Sequence, residues 1–116
     1  MEVFEFKTQI VKALSNPIRF AICEYLLSVE SPICVNHIAE HFHLNQSSVS
    51  KHLSILQNVA IVNIKKDNVY VRYYINDKEA LKCFMDAVNK LSENKIKQHS
   101  NIYDSFYNST EVKFEN

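Results

Sequence analysis

Val3, Phe6, Ile10 and Leu14 recur at helical spacing, so the chain is expected to open on a helix over Val3 to Leu14. Asn16-Pro17 then restarts it, the asparagine as N-cap and the proline at the first helical position, where its missing N–H costs no hydrogen bond. Ile18, Ala21, Ile22, Tyr25, Leu26 and Val29 give this second helix an apolar stripe, and Ser31-Pro32 breaks it. A short third helix over Val35 to Phe42 buries Ile38, Ala39 and Phe42, and His43-Leu44 makes a tight turn. Asn45 caps a fourth helix whose apolar residues, Val49, Leu53 and Leu56, form only a narrow seam. Gln46, Ser47, Ser48, Ser50, Lys51 and His52, all polar, fill the rest of its first turns.

From Val62 the period shortens. Val62, Ile64, Val69, Val71, Tyr73 and Ile75 alternate with Lys65, Lys66, Arg72 and Tyr74 around Asp67-Asn68, which predicts a two-stranded hairpin turning on those two residues. Asn76 followed by Glu79 has the form of a capping box and opens a last long helix with Leu81, Phe84, Met85, Val88 and Leu91 on its apolar face. Residues 101–116 form an Asn- and Ser-rich tail in which Ile102, Tyr103, Phe106 and Tyr107 have the spacing for one or two more helical turns. The expected fold is mainly α (α+β), with about five helices and a two-stranded wing. Residues 1–100 make the DNA-binding and dimerisation domain. Two helices joined by a tight turn, the second bare of hydrophobes on one face and followed by a hairpin, are the winged form of the DNA-binding helix-turn-helix.

Composition narrows the function classes. The chain has 116 residues, enough for one modest core, with 47% apolar and 22% charged residues, a globular rather than a disordered balance. It contains no glycine, which excludes both a GxGxxG turn and a phosphate-cradling P-loop. The net charge is zero, so nucleic-acid affinity has to come from a local surface. Lys51, Lys65, Lys66 and Arg72 stand against the single acid Asp67 between Phe42 and Ile75, a local charge of +3. The apolar runs fall far short of the roughly 20 residues of a membrane span, and the opening MEVFEFKTQ lacks the basic region of a signal peptide. Cys23, Cys34 and Cys83 are odd in number and form no CxxC, which fits a reducing cytoplasm rather than a disulfide framework.

The run Leu14-Ser15-Asn16-Pro17-Ile18-Arg19 resembles the "LxxPxR" opening of the second helix in the ArsR/SmtB family of bacterial winged-helix repressors. The ungapped run from Ile38 to Leu53, ending in Ser47-Ser48-Val49-Ser50-Lys51-His52-Leu53, is similar to that family's "LAexLglsqstvSrHL" core, and Val71-Arg72-Tyr73-Tyr74-Ile75 to its second wing strand. The resemblance covers about residues 7 to 91. It implies a homodimer built from the first and last helices that represses transcription until a metal, an oxidant or another signal releases it. Ala60, Asn68 and His43 stand where the family usually has glycine.

On that reading Gln46, Ser47, Ser48, Ser50 and His52 lie on the recognition helix, with Gln46 suited to a bidentate contact with adenine and His52 to a phosphate or to the motif's frame. Lys51, Lys65, Lys66 and Arg72 hold the phosphates of double-stranded DNA at an imperfect palindrome. The alternatives are a solvated face that touches nothing, or a winged-helix protein-interaction module that has lost DNA binding.

No cofactor is firmly implied. A soft or transition metal ion could use Cys34, His37 and His41, which share a face at i, i+3 and i+7 if the third helix begins early, with His43 or a partner-chain residue closing the site. The family's CxC pair is half matched, since Asn36 replaces the second cysteine. Its last-helix zinc site corresponds to Asp77, Glu79, Lys90 and Glu93, where a charged lysine cannot ligate. Cys23 and Cys83 resemble the cysteine pair of redox-sensing members, and the absence of any effector is a further alternative. Catalysis is not expected: Ser50, Lys51 and His52 point to different sides of a helix, and a Cys34–His37 pair lacks an oxyanion hole.

Overall fold

The computed structural model describes residues 2–99. The fold consists of five helices, α1 (Val3–Leu14), α2 (Pro17–Ser28), α3 (Val35–Phe42), α4 (Gln46–Asn58) and α5 (Lys78–Lys97), and an antiparallel hairpin between α4 and α5, β1 (Val62–Asp67) and β2 (Tyr70–Ile75). The tail beyond residue 100, with its expected extra turns, lies outside the described residues.

Local chemistry starts α2 and α4 where the sequence placed them. The Asn16 side chain accepts from the backbone N–H groups of Ile18 and Arg19, at 2.9 and 3.1 Å, and Pro17 follows at the first helical position. The Asn45 side chain accepts from the N–H of Ser48 at 2.8 Å and opens α4. Both helices of the helix-turn-helix end on a left-handed residue that is not glycine. His43 has φ 56°, its N–H donating to the Glu40 carbonyl and that of Leu44 to Ala39; Ala60 has φ 63°, its N–H donating to Gln57 and that of Ile61 to Leu56. This is the paired closure that normally recruits glycine.

The core joins α2, α3 and α4 to the base of the hairpin. Ile22, Leu26, Ile38, Val49, Leu53, Leu56 and Val62 are all fully buried, and each such side chain contributes about 1.5–3 kcal/mol over its exposed state. The seam Val49, Leu53 and Leu56 faces inward, so the polar residues of the first turns of α4 face out, and Ile55 further along is 40% exposed.

Two expectations are corrected. Asp67 pairs with Tyr70, so the hairpin turns on Asn68-Val69 rather than Asp67-Asn68, with Asn68 taking φ 56° and Val69 standing 87% exposed. Helix α5 is capped by Asp77, whose carboxylate accepts from the N–H of Ala80 at 3.0 Å, and not by an Asn76–Glu79 box. The Asn76 amide is drawn off to donate to the Ala60 carbonyl at 2.8 Å. On the apolar face of α5, Leu81 and Met85 pack into the chain's own core, while Leu91 is 71% exposed. A two-way backbone bridge between Ile33 and Tyr73, at 3.1 and 2.7 Å, lashes the α2–α3 connection to the hairpin and was not expected.

Candidate nucleic-acid interface

Helix α4 carries the outward polar set. Gln46, Ser47 and Lys51 are exposed, while Ser48, Ser50 and His52 are half-buried. The Ser47 hydroxyl donates to Asn45 Oδ1 at 3.0 Å, so its proton is committed to the cap and its oxygen remains an acceptor. Ser48 lends the cap its backbone N–H. No acid stands in the first turn, so the partial positive charge of the helix N-terminus is uncompensated there, an arrangement that favours a phosphate.

His52 has a different setting. Its Nδ1 lies 3.2 Å from Nη1 of Arg19, whose Nε donates to the Ala13 carbonyl at 2.6 Å. A guanidinium has only donors, so Nδ1 accepts and the imidazole proton sits on Nε2. Burial, and then the Arg19 charge, hold the His52 pKa below its ordinary range. The structure thus places His52 against the frame joining α1, α2 and α4.

The hairpin separates its cations. Lys65 is directly opposite Arg72, while Lys66 is opposite Val71 on the other face. Arg72 lies 3.8 Å from the Asp67 carboxylate, and its guanidinium carbon is 5.3 Å from the centroid of the Tyr70 ring. Lys65 and Lys66 are exposed.

The effector candidates are only partly brought together. Cys34 precedes α3 in extended backbone, φ −83° and ψ 162°, so it does not share the helical face of His37 and His41. Those two histidines instead flank Tyr25. The Tyr25 hydroxyl is 2.8 Å from His37 Nε2, and the His41 ring stacks on the Tyr25 ring with centroids 3.8 Å apart. Among the described residues no group of three His, Cys, Asp or Glu side chains stands close enough to hold a metal ion. Cys23 is fully buried and Cys83 exposed, both as free thiols, and burial pushes the Cys23 pKa up to about 12, away from the reactive thiolate. Asp77 is occupied as the α5 cap.

The contacts of four residues were not anticipated from the sequence. Arg19 carried a signal, a lone cation on the apolar stripe of α2. Tyr25, Asp67 and Tyr70 carried none, because their contacts depend on packing or register.

Residues 16–63 match the family described as bacterial regulatory protein, arsR family. An HTH-type transcriptional regulator of Methanocaldococcus jannaschii is 35% identical over 77 residues, covering 66% of this chain and 85% of its own. The HTH-type transcriptional repressor SmtB of Mycobacterium tuberculosis is 30% identical over 95 residues, covering 82% of this chain and 69% of its own. In structure the chain is similar to the homodimeric winged helix-turn-helix DNA-binding domain of a Mycobacterium bovis protein, with a TM-score of 0.71 at 21% identity, covering 84% of this chain and 87% of that one. A helix-turn-helix with its seam buried and its polar face outward, a hairpin wing and two relatives of at least 30% identity lead to one assignment: the chain belongs to the ArsR family of transcriptional regulators.

Proposed function

We propose that the protein binds an imperfectly palindromic operator as a homodimer in the cytoplasm and represses transcription there, with α4 in the major groove. Gln46 and Ser50 approach base edges, Ser47 and Ser48 either base edges or the backbone, and Lys51, Lys65, Lys66 and Arg72 neutralise phosphates. His52 serves the frame, through Arg19. The observation that carries this reading is the outward face of α4: its seam of Val49, Leu53 and Leu56 is wholly buried, the outward side of its first two turns is polar, and a hairpin bearing three cations follows. A protein-interaction module would have no use for that combination. Dimerisation is supported by α1, where Val3, Phe4, Phe6 and Val11 are exposed together, Phe4 at 75%. The test is a gel-shift titration on the promoter DNA of neighbouring genes, alone and with zinc, cadmium, arsenite or a disulfide-forming oxidant. Salt-dependent, sequence-selective retardation supports the reading; equal binding to every duplex sinks it. Release by one additive identifies the class of signal.

A further inference from the structure

A cleft with a volume of about 330 Å³ runs between α1, the start of α5 and the link that joins α4 to the hairpin. Its inner wall belongs to the core, where Leu14, Ile75 and Leu81 are buried and still line it. Water against so apolar a wall is unfavourable, and roughly 150 Å³ of such space is enough to hold benzene. At the rim stand two exposed alanines, Ala60 and Ala80, and a larger side chain at either would narrow the opening. Asp77 is the charged group of the lining. One of its carboxylate oxygens accepts from the Ala80 N–H at 3.0 Å, and the other takes no hydrogen bond or ion pair among the described residues. The cleft therefore offers an apolar interior and one anionic acceptor at its mouth, the complement of a compact hydrocarbon with a cationic donor. A second copy of the chain has another surface to cover. Phe4 and Val11 are exposed and stand roughly a quarter turn round α1 from Ile10 and Leu14, which line the cleft.

We propose that this cleft is a binding site for a small apolar amine, seated with its hydrocarbon against Leu14, Ile75 and Leu81 and its ammonium on Asp77, and that occupancy weakens the hold on DNA. The second half rests on the DNA-binding reading above; the first does not. Coupling follows from where the cleft lies. Ala60 turns the chain at φ 63°, its N–H donating to the Gln57 carbonyl and its own carbonyl accepting the Asn76 amide at 2.8 Å. The N–H of Ile61 donates to the Leu56 carbonyl, and its carbonyl accepts from the Asn76 N–H, both at 3.1 Å. The end of α4, the start of β1 and the end of β2 thus meet on the link Val59-Ala60-Ile61, which also walls the cleft. A ligand that presses this link outward shifts α4 relative to the hairpin, and a duplex gripped by both is sensitive to that spacing. Ligand and DNA then weaken each other by the same factor.

The test titrates the full chain with phenethylamine, phenethyl alcohol and phenylacetate, followed by calorimetry and methyl NMR. Phenethylamine is expected to move the methyl signals of Leu14, Ile75 and Leu81 and to bind about threefold more tightly than the alcohol, with phenylacetate weakest. Ala80→Leu, on the exposed rim, fills the mouth and abolishes binding with circular dichroism unchanged. Asp77→Asn keeps the α5 cap, since asparagine caps as well as aspartate, and makes amine and alcohol bind equally. A duplex selected by the chain from a randomised library should lose affinity by about fivefold or more at saturating phenethylamine, and Ala80→Leu should not respond. Absence of methyl shifts at millimolar amine, or shifts that survive Ala80→Leu, overturns the site. Equal binding of amine and alcohol by the wild type, or a preference for phenylacetate, overturns the assigned ligand class. Amine binding that emerges only after Phe4→Glu with Phe6→Glu means that a second copy fills the cleft, and overturns the proposal too. If the amine binds and DNA affinity stays unchanged, the coupling alone falls. Failure to enrich any sequence overturns the DNA-binding reading and the coupling with it, while the site stands or falls on the titration.

Discussion

Arg19 of α2 donates through Nη1 to Nδ1 of His52 on α4 across 3.2 Å, and the same guanidinium donates through Nε to the last turn of α1 at Ala13. One side chain therefore ties α4 to both α1 and α2, although 33 residues separate it from the histidine. Hydrogen bonds from a charged group are worth about 1.5–3 kcal/mol. Arg19→Ala is accordingly expected to destabilise the fold by about 2 kcal/mol in urea titration and to weaken binding to specific DNA more than to random duplex.

The same contact makes a pH prediction. His52 titrates below its ordinary range in the folded state, chiefly through burial and then through Arg19, so folding favours the neutral ring. Its contribution is fully present above the unfolded value of about 6.5 and is lost as pH falls below it. Proton NMR titration should show the His52 pKa rising towards the ordinary value in Arg19→Ala. An unchanged pKa would mean that burial alone sets it.

Ala60 holds φ 63° without being a glycine. A left-handed alanine costs about 1–2 kcal/mol, part of which glycine returns as lost chain entropy. Ala60→Gly should therefore raise stability by about 0.5–1 kcal/mol with DNA affinity unchanged, read from the urea midpoint. A destabilised variant would show that packing of the methyl group outweighs the backbone strain.

The helices were legible because burial repeating every three to four residues is a local signal, and Asn16 and Asn45 announce their caps in the same way. The errors fell where two neighbours share one propensity. Asp67, Asn68, Asn76 and Asp77 all suit turns or caps, and the choice among them was made by the pairing of Asp67 with Tyr70 and by the Ala60 carbonyl taking the Asn76 amide. The polar face of α4 was visible for the same reason as its seam. The Arg72–Tyr70 contact, the Arg19–His52 link and the Ile33–Tyr73 bridge were not, since each joins residues that only register or tertiary packing brings together.

The thiols should separate cleanly. Cys83 is exposed, whereas Cys23 is buried, its pKa raised to about 12 from an ordinary value of 9.0 by burial and secondarily by Glu24. Iodoacetamide at mildly alkaline pH should modify Cys83 within minutes and spare Cys23 until denaturant is added, as read by peptide mass. Because the folded state favours the neutral Cys23 thiol, the stability it contributes is lost as pH climbs from about 9 towards 12. Rapid labelling of Cys23 in the native protein would show that α2 opens locally.

The exposed aromatic residues of α1 carry the expectation of a dimer. Phe4→Glu with Phe6→Glu removes apolar area that the chain's own core does not cover. Sedimentation should find the wild type dimeric at micromolar concentration and the double variant monomeric, with circular dichroism unchanged. A wild-type monomer would remove the reason to expect a palindrome.

The division of labour between α4 and the hairpin can be separated by salt. In a two-fold dimer the two copies of α4 enter successive major grooves, which spaces the half-sites about 34–36 Å apart. Each phosphate contact contributes about 0.9 to the slope of log K against log salt. Lys66 is exposed on the hairpin face away from Arg72. Lys66→Ala should therefore weaken all duplexes nearly equally and flatten the slope by up to about two, since the dimer loses two copies. Gln46 is exposed at the start of α4 and is not used by the cap, which engages Ser47 and Ser48. Gln46→Ala should leave the slope alone and relax preference at one symmetric pair of positions, at a cost of about 1–3 kcal/mol if its contact is bidentate. The two variants thus move different observables in the same titration. Should both change only the slope, α4 would be a backbone contact, and sequence preference would have to arise from duplex shape.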